Sequence, residues 1–146
     1  MSDKESQTPR VFFMRHGKLI DPARLLQVIV SPRLRAQRTL KLFLPICDAV
    51  DQSPEVIYTE DMAESKQQVT KRVDKVISQI CAIQHPYMNG EGPADVLVVA
   101  HGTIIRCLWK RWIGKDLEYD LLTTLAPGAT GILRCVDFEN TMILVL

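Results

Sequence analysis

The chain has 146 residues, 47% of them hydrophobic and 24% charged, which suits one soluble globular domain with a buried core. A formal net charge of +1 excludes a global field that would draw the protein to nucleic acid or an anionic membrane, so any electropositive site must be local. No apolar run approaches the ~20 residues of a bilayer span, and residues 1–9 lack the apolar core of a signal peptide.

Residues 1–9 are polar and read as a flexible N-terminal arm, leaving residues 10–146 as a single domain. The run Val11-Phe12-Phe13-Met14 predicts a short buried strand, closed by Arg15-His16-Gly17. A strand buried on both faces suits a parallel sheet and hence an α/β fold. Asp21-Pro22 signals a turn or helix start, with room for about one helical turn before Val28-Ile29-Val30, the second strand. Ser31-Pro32-Arg33-Leu34-Arg35 follows, with Ser31 placed to cap a helix, Pro32 at its first position and a stop near Pro45. Glu55-Val56-Ile57-Tyr58 predicts a third strand. A long helix over about 64–84 then buries Val69, Val73, Val76, Ile77, Ile80 and Ile83 on one face, a packing role without chemistry. Val96-Leu97-Val98-Val99-Ala100 is the most strand-like run. It ends at His101-Gly102, where Thr103 is placed to cap a helix reaching Trp112. Residues 129–136 and 141–146 predict a closing β-hairpin. Cys47, Cys81, Cys107 and Cys135 are widely spaced without CxxC pairing, so they read as buried free thiols in a reducing, cytoplasmic setting.

Three strand-to-helix turns thus present Arg15 and His16, Arg35, and His101 at what should be one edge of one sheet, where open α/β folds bind ligands. Two imidazoles and two guanidinium forks at one place suit phosphoryl transfer. One imidazole attacks phosphorus, and the arginines hold the equatorial oxygens. No metal or other cofactor is required, and no carboxylate cluster suits Mg²⁺. Three functional classes follow: a phosphomonoesterase, a non-catalytic phosphate- or ligand-binding relative, and a plain structural domain with core histidines. Two histidines at matching strand ends, with arginines beside them, argue against the third. The partner is a small phosphorylated molecule rather than nucleic acid or membrane, and a homodimer is left open.

These segments resemble the histidine phosphatase (phosphoglycerate mutase-like) superfamily. Arg15-His16-Gly17 resembles its hallmark after the first strand, Ser31-Pro32-Arg33-Leu34-Arg35-Ala36 its Ser-Pro-x-x-Arg-Ala helix start, and His101-Gly102 its late strand end. Ala63-Glu64-Ser65, with Arg72-Val73 eight residues on, is similar to its Gly-Glu-Ser helix start. The resemblance implies a three-layer α/β/α sandwich with a mostly parallel sheet, and hydrolysis of a small phosphorylated metabolite through a phosphohistidine. It implies His16 as nucleophile, Arg15, Arg35 and His101 as the phosphate pocket with Gly17 and Gly102 beside them, and Glu64 as a candidate proton donor. Within the family, the Ser-Pro-Arg-Leu-Arg-Ala and Val-Val-Ala-His-Gly segments are most similar to sugar-phosphate phosphatases of the sedoheptulose-bisphosphatase kind.

Two family segments are missing. Gly17 passes through Lys18-Leu19-Ile20 to the second strand, too short a path for a crossover containing a full first helix. The Leu-x-Glu segment and lid region of the family are also reduced: Tyr58-Thr59-Glu60-Asp61-Met62-Ala63-Glu64 runs directly toward the long helix, which leaves Glu60 and Asp61 as fallback donors. The missing segments are those that select substrate in the family.

Overall fold

The apolar runs assemble into one five-stranded sheet made of β1 (Arg10–Met14), β2 (Leu25–Val30), β3 (Glu55–Tyr58), β4 (Asp95–Val99) and β5 (Thr130–Arg134). These elements come from a computed structural model that describes residues 10–14, 21–63, 65–89, 92, 94–121 and 130–134. The strand order is β3-β2-β4-β1-β5. β1, β2, β3 and β4 run parallel, and β5 joins the β1 edge antiparallel. All five residues of β4 are buried, as a central parallel strand covered on both faces requires.

Alternation along the strands divides the core in two. Val96 and Val98 of β4, with Val11 and Ile29, pack against α2 (Val69–Gln84) and α3 (Gly102–Trp112). Leu97 and Val99, with Leu25, Val28 and Val30, pack against α1 (Leu34–Asp48). Helices therefore cover both faces of the sheet. Leu25 and Val28 share a face although they are three residues apart, because a register shift between Leu25 and Gln27 adds a residue to β2. Arg111 of α3 grips Asp74 of α2 through Nε at 2.8 Å and a terminal nitrogen at 3.0 Å, locking the two helices together.

At the sheet's amino edge, Asp95 is fully buried and takes three bonds from one residue. The Arg10 backbone N–H donates to Oδ1 at 2.9 Å, Nε to Oδ1 at 3.4 Å and a terminal nitrogen to Oδ2 at 2.7 Å. Arg24 Nε lies 3.7 Å from the same carboxylate. The Gln84 amide donates to the carbonyls of Arg10 and Ala94. These bonds join β1, β4 and the end of α2.

Several expected boundaries move. α1 does not stop before Pro45 but runs through it to Asp48. Leu40, Phe43 and Cys47 are buried on both sides of the proline, and that packing offsets the ~3 kcal/mol cost of proline within a helix. The room after Asp21 holds one 3-10 turn, Pro22–Arg24, with the Asp21 carboxylate accepting from the Ala23 N–H. The long helix begins at Val69 rather than near 64, because Glu60–Met62 forms a separate 3-10 turn capped by the Thr59 hydroxyl and Gln68 turns left-handed at φ 50°. Val73, Val76 and Ile80 are buried, and Val69, Ile77 and Ile83 pack beside them, as the spacing predicts. Of the closing hairpin expected over 129–136 and 141–146, the first segment contains β5 and the second lies outside the described residues, as do residues 1–9.

Candidate active site

The four parallel strands end on one level. Met14 pairs with Val99, Val99 with Val30, and Val30 with Tyr58, so the four residues form one row across the sheet. The ladder continues one residue further at two points, where Ser31 N donates to Val99 O and Thr59 N donates to Val30 O, both at 2.9 Å. The segments that leave this row begin at residue 15 after β1, Ser31 after β2, Thr59 after β3 and Ala100 after β4. The carboxyl edge of a parallel sheet is where such folds place ligands.

At the β2 exit, Ser31 is buried because it still belongs to the ladder, so it does not cap α1 in the expected way. Arg33 takes the cap position in extended conformation, with its N–H 3.4 Å from Ser31 Oγ. The Gln37 amide closes the entry on Pro32 O at 2.7 Å. Arg35 becomes the second residue of α1. It is exposed, and so are Arg33 and Arg38, so exposure does not single it out.

At the β4 exit only Ala100 and His101 separate strand from helix. His101, not Thr103, is the cap of α3. It is extended at φ −99° and ψ 154°, and its carbonyl accepts from Ile105 N at 3.0 Å. Thr103 falls inside the helix and is exposed. His101 and Gly102 are half-buried, at the end of an 11-residue helix whose N–H groups and dipole favour an anion.

The β3 exit carries the acids. Asp61 is engaged: Lys75 Nζ lies 2.7 Å from its Oδ2, and the Thr59 hydroxyl is 3.2 Å from the same oxygen. Glu60 is 75% exposed, and its carboxylate is 4.0 Å from the guanidinium of Arg33, which brings the β2 and β3 exits together. Arg15, His16, Gly17 and Glu64 lie outside the described residues. Among the described residues, no cluster of three or more His, Cys, Asp or Glu is placed to hold a metal ion. Cys47, Cys81 and Cys107 are not joined in disulfides. Burial pushes the Cys47 and Cys107 thiols up, and Asp48 adds to the effect at Cys47. Neither suits a nucleophile.

A family model, the histidine phosphatase superfamily (branch 1), matches residues 45–144. The chain belongs to this superfamily. The matched span opens inside α1 and includes Glu64 and His101, but not Arg15-His16-Gly17 or the Ser31 to Arg35 turn. Solved structures share this fold along nearly the whole chain. A putative alpha-ribazole-5'-P phosphatase from Escherichia coli is 18% identical, with TM-score 0.67 over 94% of this chain and 96% of that one. A mycobacterial glucosyl-3-phosphoglycerate phosphatase is 13% identical, with TM-score 0.68 over 94% and 97%. Phosphoglycerate mutase from Plasmodium falciparum is 18% identical, with TM-score 0.57 over 95% and 89%. No curated protein sequence matches the chain. The fold is thus α/β and phosphoglycerate mutase-like, and among the described residues no helix is long and apolar enough to cross a membrane.

Two groups escape a reading of the sequence. Arg72 enters the motif only as a spacing mark, yet its guanidinium gathers the carbonyls of Glu60, Ala63 and Ser65. The Asp95 cluster gives no local signal beyond a lone acid before an apolar strand.

Proposed function

We propose that this chain is a phosphomonoesterase that hydrolyses a small phosphorylated metabolite through a phosphohistidine at His16. The single observation that carries the proposal is the common row of Met14, Val30, Val99 and Tyr58. It makes the segments with Arg15 and His16, Arg35, and His101 leave from one edge, together with the acids at the β3 exit. In the reaction, an imidazole nitrogen of His16 attacks phosphorus while the ester oxygen departs and takes a proton. Water then attacks the phosphohistidine, giving inorganic phosphate and free His16. Arg15, Arg35 and His101 hold the phosphoryl oxygens, with Gly17 and Gly102 letting the backbone come close. Asp61 is committed to Lys75 and Glu60 stands in water, so Glu64 is the donor we assign. The motif likeness to sedoheptulose-bisphosphatase-type enzymes points to a sugar phosphate or bisphosphate. The unbridged cysteines fit a cytoplasmic setting.

Activity on sugar phosphates is weak in this proposal. General acid help contributes about 10²–10⁴-fold, and the segments that deliver it in the family are reduced here. An aryl phosphate, whose leaving group needs less help, turns over faster than a sugar phosphate. The deciding experiment is labelling by a phosphate donor. Acid-labile, base-stable phosphate mapped to His16 is expected, and a label absent or on another residue overturns the proposal.

A second reading, a phosphate binder without turnover, is favoured by the β1–β2 connection. Residues 15–24 join two strands separated by β4, a connection too short for a crossover with a full helix. Inorganic phosphate that raises the Tm without any label would select that reading.

Arg35 has its own expected result. Arg35→Lys keeps the charge and loses the fork, so vanadate inhibition should weaken by about tenfold or more. Arg33→Lys and Arg38→Lys should leave it unchanged. Equal inhibition of the Arg35 variant and wild type would place Arg35 outside the pocket.

A further inference from the structure

We infer that Arg72 is a positioning residue, the clamp that aims the acid-bearing segment at the β3 exit toward the leaving group; this rests on the phosphatase reading above. Arg72 stands in the first turn of α2, its backbone N–H bonded to Gln68 O at 3.0 Å. One terminal nitrogen of its guanidinium donates to Glu60 O at 3.0 Å and to Ala63 O at 3.1 Å, and the other donates to Ser65 O. Three carbonyls of one short segment thus converge on one planar cation, and they bracket Glu60, Asp61 and Glu64. α2 makes a second tie one turn on, where Lys75 pairs with Asp61 at 2.7 Å. Met62, between the ties, is fully buried in the core.

This arrangement answers a physical problem of the chain. Ala63 and Gln68 break the helix direction, with Ala63 extended at ψ 145° and Gln68 left-handed at φ 50°. Without a tether, the segment between β3 and α2 would hold its acids only by their short 3-10 turn and the burial of Met62. A guanidinium supplies several donors in one rigid plane, so it fixes spacing as well as position. A lysine ammonium is a point charge and cannot reproduce that fork. Misplacing a reacting group by ~1 Å can cost about 10²-fold in rate. The clamp therefore affects proton delivery to the leaving oxygen and leaves phosphate capture alone.

The test compares Arg72→Lys with wild type on an alkyl phosphate and on nitrophenyl phosphate, together with vanadate inhibition and amide hydrogen exchange. Exchange at residues 60–63 and 65 should quicken while the α2 amides beyond Val73 hold. The kcat for the alkyl ester should fall about 10²-fold. The nitrophenyl ester needs little acid help and should change by less than about threefold, with vanadate inhibition unchanged. Equal slowing of both esters, or unchanged exchange at 60–65, overturns the positioning role while the phosphatase reading stands. A wild-type protein that hydrolyses neither ester sinks the phosphatase reading and the role of Arg72 with it. Lys75→Met, at a side chain 71% exposed, gives a folded second variant. It releases Asp61 alone and should show the same leaving-group bias at smaller size; a wild-type ratio between the esters would count against the clamp.

Discussion

His16→Ala is expected to remove phosphate-ester turnover, by at least about 10⁴-fold, and to leave the melting temperature near that of wild type. A nucleophile forms the covalent bond on which both half-reactions depend. Loss of such a group elsewhere costs up to about 10⁶-fold, with residual rate supplied by binding alone. Stability should survive because the packing that holds β1 lies before the motif. Val11 is fully buried in the core, and the strand pairs with β4 and β5 along Arg10–Met14. Steady-state turnover of nitrophenyl phosphate and a thermal melt check both halves. Wild-type turnover in the variant rules out phosphohistidine chemistry at this position. Lost turnover with a collapsed melt would instead make His16 a structural residue.

Asp95→Asn lowers stability by about 3 kcal/mol, near the lower end of the range for breaking a buried ion pair. For a chain of this size that is roughly a 10 °C fall in Tm. Asp95 is fully buried, whereas Arg10 is 19% exposed. The substitution therefore leaves a cation with partial access to water, and this places the cost at the lower end. The new amide N–H₂ faces guanidinium donors, so at least one of the bonds from Arg10 to the two carboxylate oxygens is lost. Urea unfolding should show a lower midpoint with unchanged slope. Asp51→Asn is the control. Asp51 is exposed with φ 54°, a left-handed conformation that asparagine also tolerates, and its melt should not move. A variant at Asp95 as stable as wild type would show that the pair contributes nothing net.

The helix boundaries show where local rules are overruled. Ser31-Pro32 is a sound entry signal, but the β-ladder claims Ser31 through Val99 O, and the helix starts later. Pro45 is a sound stop signal, but Phe43 and Cys47 are buried on either side of it. The acids at 60–64 suit a helix start, yet Thr59 caps its own short turn. In the first two cases a longer-range contact outweighs a local preference of about one to three kcal/mol; in the third a competing local cap wins.

The sequence by itself determined the class of the sheet and which edge of it carries the proposed site. Runs such as Val96 to Val99, short, β-branched-rich and apolar on every residue, suit strands covered on both faces. Arg15-His16 and His101 stand just beyond such runs and Arg35 in the turn into the helix that follows one, so their place relative to the strands is legible from order alone. The alternating core and the face of α2 follow from periodicity in the same way. The tertiary structure alone decided that β4 lies between β1 and β2, that Met14, Val30, Val99 and Tyr58 share one row, and that Arg10 meets Asp95. It also decided that Arg72 reaches back to Glu60, Ala63 and Ser65. Hydrophobic periodicity is a local property that repeats every two or 3.6 residues, so it leaves its mark in the order of residues. Strand order, register and the partner of a buried charge join residues as far apart as Arg10 and Asp95, and they are set by which whole arrangement buries apolar surface while satisfying each polar group.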